Sequence, residues 1–209
     1  MRLRIALAIG VLASGLYAHA DNVGMTGFTG GTTYSSPDGS PATIGWQFTA
    51  NSNITVTALG LYDPSSYGDP LSTSHEVGIW NSSGTLLAEV SVSPTGSTTD
   101  GYFFDSVTPV DLTAGDTYTL GAFFDGATDA YVSSASDITT DPDLTYLQGV
   151  YVDGSSLTDP GSTGYTTDGR FGPNLEFTAA ATVTPEPSSI ALLGTGLLGI
   201  AGALRRRYV

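Results

Sequence analysis

Ile44-Gly45-Trp46-Gln47-Phe48-Thr49-Ala50 is the stretch of this 209-residue chain that decides its fold. Its large apolar side chains fall on every second position, and glycine or a polar residue stands between them. Successive side chains of a β-strand point to opposite faces of the sheet. The period of two therefore predicts a strand that buries one face and exposes the other.

The same period recurs outward from this stretch in short windows separated by turn residues. The window Ile54–Leu61 loses its phase at Leu59-Gly60-Leu61, which predicts a bulge or a strand end buried on both faces. Val77–Trp80 and Leu86–Val92 flank the turn Asn81–Gly84 and predict a hairpin. The remaining predicted strands are Tyr102–Phe104, Val107–Leu112, Tyr118–Phe124, Val150–Val152 and Leu175–Phe177.

About ten short strands, with turn signals roughly every 8–12 residues, predict an all-β fold, an antiparallel β-sandwich or jelly roll that spans residues 21–180. No window between residue 21 and Pro185 has the apolar stripe of a helix. The turn-rich segments Ser133–Gly149 and Asp153–Gly172 predict long surface loops. The side chains expected in the core are Trp46, Phe48, Val56, Ile79, Trp80, Leu86, Val90, Leu120 and Ala122.

The charge of the central segment excludes some classes of function. Five of the six basic residues lie in the terminal segments and leave only Arg170, whereas 19 of the 20 acidic residues lie between residues 21 and 184, so the formal charge there is −18. A domain of this sign repels phosphate backbones, which excludes a nucleic-acid partner. The chain has no cysteine, so disulfides, thiol chemistry and cysteine–metal sites are excluded as well.

The N-terminal segment has the three parts of a secretory signal peptide. Arg2 and Arg4 precede the apolar run Ile5–Leu16, and Ala18-His19-Ala20 follows it. The run is shorter than a membrane-spanning helix needs. We expect residues 1–20 to be removed, with Ala18 and Ala20 as the small residues of the cleavage site.

The last residues have the composition of a linker, an anchor and a stop. Pro185-Glu186-Pro187 closes a linker over residues 181–187, an uncharged run rich in Leu, Gly and Ala follows over residues 188–204, and Arg205-Arg206-Arg207 begins the tail 205–209. The 18 uncharged residues Pro187–Leu204 would cover roughly 27 Å as a helix, just enough for a thin hydrocarbon core. Because arginine resists translocation, we expect a transmembrane helix with a basic cytoplasmic tail and the preceding domain outside.

This order of motif, span and basic stop resembles the PEP-CTERM sorting signal, which occurs in exported proteins of Gram-negative bacteria that make exopolysaccharide. The resemblance implies that an exosortase-like membrane enzyme recognises Pro185, Glu186 and Pro187 and cuts nearby, and that Arg205, Arg206 and Arg207 form the stop. It also implies a protein held first in the inner membrane and found at the cell surface or outside the cell after processing.

The central segment carries a second resemblance. Thr57–Asp63, His75–Ala88 and Pro109–Tyr118 are similar to a β-sandwich module of unknown function, common in bacterial surface proteins and beside carbohydrate-active domains. The similarity spans roughly residues 44–125, and the order His-x-Val-x-x-Trp, turn, Gly-x-Leu-Leu-Ala carries it. The module has no settled activity, so the resemblance implies a fold and no chemistry.

Few residues in this central segment are candidates for catalysis. His75 is the only histidine after residue 20, and we expect it to make a structural hydrogen bond near a strand end, since no Gly-x-Ser-x-Gly elbow accompanies it. One histidine without cysteine excludes a histidine-based zinc site. A glycoside-cleaving pair would have to come from carboxylates such as Glu76, Glu89 and Glu176. Of these, Glu89 falls on the polar side of its strand and is expected in solvent.

Calcium is a further hypothesis. Asp137, Asp141 and Asp143 fall within seven residues, and the turn Asp125–Asp129 brings two more carboxylates. Oxygen-rich loops suit this cation, although turns also use aspartate for their own backbone hydrogen bonds.

Sugar binding is the last hypothesis for a site. Tyr62, Tyr67, Tyr131 and Tyr146 lie in or near expected loops and could present aromatic rings to a glycan. Tyrosine is also a normal residue at the rim of a sandwich core. Trp46 and Trp80 alternate with polar neighbours and are expected in the core instead.

The sequence as a whole predicts an exported, non-enzymatic surface or extracellular-matrix protein that needs no cofactor. Its expected partners are an exosortase-like processing enzyme, the membrane and extracellular polysaccharide. The alternatives are a calcium-stabilised glycan-binding module and a carbohydrate-active hydrolase.

Overall fold

A computed structural model describes residues 21–34, 40–126, 128–161, 164–165 and 169–179. Within these ranges the chain is almost entirely β-structure, with a single short 3₁₀ helix at Pro64–Tyr67. The strands are β1 Asn22–Val23, β2 Met25–Tyr34, β3 Ala42–Ala50, β4 Ile54–Tyr62, β5 His75–Asn81, β6 Leu86–Val92, β7 Tyr102–Leu112, β8 Thr117–Phe124, β9 Tyr131–Thr140, β10 Leu144–Asp153, β11 Gly164–Tyr165, β12 Gly169–Phe171 and β13 Pro173–Ala179.

The strands form three antiparallel sheets. A four-stranded sheet has the order β1-β13-β4-β7, and a six-stranded sheet has the order β11-β10-β3-β8-β5-β6. A third sheet, β12-β9-β2, continues from the first, because β1 runs into β2 and β12 runs into β13 with one residue between them in each case. The all-β fold predicted from the two-residue period is confirmed.

The core lies between the four-stranded and six-stranded sheets. Val56 and Leu175 from one sheet belong to the same buried cluster as Ile44 and Leu120 from the other. Trp46 is fully buried in this cluster, and its indole Nε1 donates a hydrogen bond to the carbonyl oxygen of Pro173 at 2.8 Å. Burying each large apolar side chain contributes about 1.5–3 kcal/mol to the stability of the folded state. The shared cluster therefore holds the two sheets together as a β-sandwich.

Both ends of the folded domain lie side by side in the four-stranded sheet. β1 pairs with β13, with Val23 opposite Glu176. The fully buried Asn174 fixes the corner where β1 becomes β2, because its side chain accepts from the Met25 N–H at 2.8 Å and donates to the Met25 carbonyl at 3.0 Å. The chain therefore enters and leaves the domain at one edge.

Three glycines meet across the middle of the six-stranded sheet. Gly45 of β3 stands opposite Gly121 of β8, and Gly121 also stands opposite Gly78 of β5. A methyl group on Gly45 would overlap the Leu120 carbonyl oxygen and lie 2.8 Å from the Gly121 Cα. The two backbones approach so closely here that only glycine fits at this position.

The structure contradicts the loop predicted at Ser133–Gly149. Most of that segment forms β9 and β10. Its serines and threonines show no apolar period because β9 faces solvent on one side and pairs through polar groups, as where Thr29 Oγ1 of β2 donates to Asp137 at 2.6 Å. The sequence also gave no sign of β1 and β2. Part of the second predicted loop, Asp153–Gly172, is confirmed, since residues 154–161 lie outside strands.

The predicted core is confirmed except at the edge strand β6. Leu86 is 42 % exposed and Val90 is half-buried, because β6 is the last strand of its sheet and Leu86 lies next to the hairpin turn. Trp80 is buried as predicted but does not belong to the main cluster: it lies on the outer face of the six-stranded sheet. The phase slip predicted at Leu59-Gly60-Leu61 is present as a strand end buried on both faces, since residues 58–61 are all buried, whereas the register shift lies earlier, between Val56 and Ala58.

Candidate functional site

A buried histidine–aspartate pair lies at the start of β5. His75 Nε2 is 2.9 Å from Asp129 Oδ2, and the two residues are 5 % and 6 % exposed. His75 Nδ1 lies 2.8 Å from the carbonyl oxygen of Phe123 in β8. Both ring nitrogens thus face oxygen atoms that can accept a hydrogen bond. The pair ties β5 to the end of β8 and to the segment that follows it.

Asp129 accepts hydrogen bonds from three neighbours. The backbone N–H and hydroxyl of Ser72 donate at 2.9 and 2.7 Å, and those of Thr73 donate at 2.9 and 2.6 Å, in addition to the bond with His75. Burial alone would raise the pKa of the Asp129 carboxyl, but the hydrogen bonds from Thr73, Ser72 and His75 outweigh it and hold the pKa well below its usual range. The carboxylate is therefore ionised in the folded protein.

The lowered pKa of Asp129 predicts how the stability of the folded protein changes as the pH falls. The folded protein prefers ionised Asp129, so the contribution to stability is complete above the pKa of an unfolded aspartate, about 4, and is lost as the pH falls below it. We expect the gap in melting temperature between wild type and Asp129→Asn to stay level from pH 6 to about pH 5 and to shrink from there to pH 3. Glu176, whose pKa is raised by burial and then by the charge of Asp21, acts in the opposite direction but equally in both proteins. A gap that stays constant over this range would contradict the assignment.

An open cleft of about 440 Å³ lies beside the pair. It is lined by Thr73, Ser74, His75, Glu76, Ser91, Phe123 and Asp125. A Ser-His-Asp relay needs the hydroxyl and the carboxylate on opposite ring nitrogens. Here Thr73 Oγ1, at 3.4 Å, and Asp129 both face Nε2, and Nδ1 is taken by a backbone carbonyl. This arrangement matches the structural hydrogen bond that the sequence predicted for His75 and differs from a nucleophile–base pair.

The aspartates of the calcium hypothesis serve strands and turns. Asp137 accepts from Thr29, Asp141 accepts from the Asp143 N–H at 2.9 Å, and Asp143 accepts from the Ser52 hydroxyl at 2.8 Å. In the part of the chain that the structure describes, no three acidic or histidine side chains gather as a metal site would require. Calcium binding stays a prediction, and the structure does not bring its proposed ligands together.

The tyrosines of the glycan hypothesis differ in exposure. Tyr67 is 38 % exposed, and its hydroxyl donates to the Gly30 carbonyl at 2.7 Å. Tyr62 is half-buried, with its ring 5.2 Å from those of Phe28 and Tyr102. Tyr131 is buried and offers no ring face to solvent, and the hydroxyl of Tyr146 is buried too. Glycan contact stays a prediction for Tyr62 and Tyr67.

Sequence reasoning missed Tyr34, which is 42 % exposed at the end of β2. Its ring lies 5.5 Å from that of Tyr131. No signal in the sequence distinguished it, because β2 itself was not predicted.

The processing residues lie outside the described ranges. These are Ala18 and Ala20 of the signal cleavage site, and Pro185, Glu186, Pro187, Arg205, Arg206 and Arg207 of the sorting motif. Among the described residues, no helix has the length and apolar character needed to cross a membrane.

Comparison with known proteins locates two matches in the sequence. Residues 29–168 match the family described as "Domain of unknown function (DUF4082)", and residues 183–207 match the "PEP-CTERM protein-sorting motif". No protein of curated function matches the chain. One similar solved structure is Xyl-CBM35 in complex with a glucuronic acid containing disaccharide, at 17 % identity and a TM-score of 0.31, covering 68 % of this chain and 96 % of that one. Both resemblances found in the sequence are thereby confirmed.

Proposed function

The chain belongs to the DUF4082 family, and we propose that it is a non-enzymatic surface or extracellular-matrix protein, exported and sorted through its C-terminal signal. The observation that carries the proposal is the PEP-CTERM motif over residues 183–207. This motif implies export and handling at the membrane by an exosortase.

The proposed route has three steps. The signal peptide leads the chain across the inner membrane and is removed after Ala20. The uncharged run 188–204 then holds the chain in the membrane, with Arg205-Arg206-Arg207 on the cytoplasmic side. An exosortase-like enzyme grips the extended Pro185-Glu186-Pro187 segment, which the two prolines keep out of a helix, and cuts nearby.

The folded domain suits a role outside the cell. Its formal charge of −18 over residues 21–184 favours solubility and disfavours nucleic acid. The histidine and its aspartate are used inside the fold, with both ring nitrogens bonded. Extracellular polysaccharide is the partner proposed for the mature protein.

Replacing Glu186 with Ala should leave export intact and block sorting, because the Pro185-Glu186-Pro187 segment loses its only charged group. In a host that makes an exosortase, the uncut variant should accumulate in the membrane fraction at a larger mass than the processed wild type. Mass spectrometry of the fractions measures this directly. Glu89→Ala, which removes an exposed glutamate of β6, is the matched control and should be processed like wild type. Equal mass and fractionation for wild type and Glu186→Ala would contradict this prediction and would indicate that the C-terminal segment is only a permanent anchor.

A further inference from the structure

A segment of the chain crosses the outer face of the six-stranded sheet. Residues 154–161, which we call the strap, follow β10 and lie over the row of glycines. A methyl group placed on Gly78 would lie 3.1 Å from Leu157 Cδ2, and one placed on Gly121 would lie 3.4 Å from Pro160 Cδ. Leu157 and Pro160 thus occupy a trough that exists because the glycines have no side chains.

The Trp80 ring lies in the same trough. Methyl groups placed on Gly78 and Gly121 would lie 2.8 and 3.2 Å from atoms of its indole, so the ring rests across two strands. Under the strap it is only 4 % exposed. The indole therefore lies on the glycine row, outside the main core, and Leu157 of the strap reaches the same Gly78.

Uncharged polar groups hold the strap to the sheet, while Glu89 stands opposite Gly78 on the neighbouring edge strand β6. The Thr158 N–H donates to Thr43 Oγ1 at 3.0 Å, and Gln47 Nε2 donates to the Gly161 carbonyl at 3.0 Å. Gln47 also donates to Thr119 Oγ1 at 3.1 Å. Beyond it, Gln148 Nε2 donates to Gln47 Oε1 at 2.7 Å. Amides and hydroxyls of β3, β8 and β10 therefore bond the strap to this face of the sheet.

Resting on the polysaccharide partner proposed above, we propose that this trough is a binding groove for a neutral glycan and that the strap occupies it in the free protein. An aromatic platform with a few fixed amide and hydroxyl groups suits a pyranose ring, which stacks its apolar face and bonds through its hydroxyls. Glycine within strands marks places where a ligand or another backbone comes close. The charge of −18 repels acidic polysaccharides, so the ligand is a neutral one.

The strap and the glycan compete for the same groups. The Thr158 amide and the Gly161 carbonyl stand where sugar hydroxyls would bond to Thr43 and Gln47. The apparent affinity of the protein for the glycan is its affinity in the open state multiplied by the fraction of molecules whose groove is open. Loosening the strap therefore raises affinity without any new contact to the sugar.

Leu157→Ser in the full-length protein tests this, because it removes the half-buried apolar anchor over Gly78. The chain has two tryptophans, and Trp46 is fully buried in the main core, so new quenching of emission by acrylamide reports on Trp80. Binding is measured with cellohexaose, xylohexaose and mannohexaose, and with polygalacturonate as the acidic comparison. Leu147→Ser, which removes a leucine of β10 that is 41 % exposed, is the matched control.

We expect Leu157→Ser to expose Trp80 and to bind at least one neutral hexaose about tenfold more tightly than wild type or Leu147→Ser do, and Trp80→Phe in the same background to remove most of the gain. Asp159→Ala, which removes the acceptor of the Gly161 N–H, loosens the strap by a second route if Leu157→Ser does not fold. Exposed Trp80 without gain in neutral-glycan binding would overturn the proposal. Trp80 that stays protected in both strap variants would overturn it too, since the strap would then be a fixed part of the fold.

Discussion

Asp129→Ala should lower the free energy of unfolding by about 3–5 kcal/mol, because it leaves several donors without their acceptor at a cost of about 1–3 kcal/mol for each one that is buried. The His75 ring would remain buried beside Phe124, 4.5 Å between ring centres, and its Nε2 would lose the carboxylate. The donors of Ser72 and Thr73 would lose their acceptor as well. For a domain of this size the expected fall in melting temperature is roughly 6–20 °C, measurable by calorimetry at neutral pH.

The control for this change is Asp111→Ala. Asp111 is exposed and accepts a hydrogen bond from Thr55 Oγ1 at 2.7 Å, so its loss should cost no more than about 0.5 kcal/mol. In a His75→Ala background, Asp129→Ala should cost less than it does alone, because the bond to His75 is already gone and only the donors of Ser72 and Thr73 lose their acceptor. Equal effects of Asp129→Ala and Asp111→Ala would show that the pair contributes nothing particular to the fold.

Gly45→Ala should destabilise the domain by roughly 3 kcal/mol or more, at the upper end of what overpacking costs. The added methyl group has no side chain to displace: it meets the carbonyl oxygen of Leu120 and the Cα of Gly121, both backbone atoms of the paired strand. β3 and β8 are central strands of their sheet, so separating them disturbs the main core. Chemical denaturation should show the midpoint moving without a change of slope.

Gly154→Ala is the matched control for the glycine change. Its methyl group would come no closer than 4.0 Å to the Ser156 carbonyl oxygen, and it should change stability by no more than about 0.5 kcal/mol. Similar midpoints for the two variants would mean that the strands can move apart at Gly45 at little cost.

The sequence predicts the strands whose one face is apolar and misses those that pair through polar groups. β3 and β8 follow the two-residue period because their inner faces bury Trp46 and Leu120. β9 has no such period, since serine, threonine and aspartate make its cross-strand bonds and Ser134 and Asp137 adopt positive φ angles of 59° and 50°. Periodicity measures regular alternation of burial, so it cannot detect a strand such as β9, whose buried residues do not alternate.

The candidate site was less predictable than the fold. His75 was singled out because it is the only histidine after residue 20, but its partner Asp129 lies 54 residues later in a turn that the sequence assigned to a cation. Trp80 was expected to be buried, and the covering segment could not be foreseen, because contact between the strap and the glycine row depends on tertiary structure alone. The type of a side chain shows which chemistry it could carry out. Its neighbours in space cannot be read from the sequence when they lie many residues away along the chain.

The pairing of β1 with β13 has a consequence for maturation. The residue after the proposed signal cleavage site and the segment leading to the proposed anchor leave the domain from adjacent strands, with Asn22 opposite Phe177. A chain still tethered to the membrane at both ends can therefore close its sandwich without stretching either tether. If both terminal segments are processed as proposed, folding and the two cuts need no fixed order.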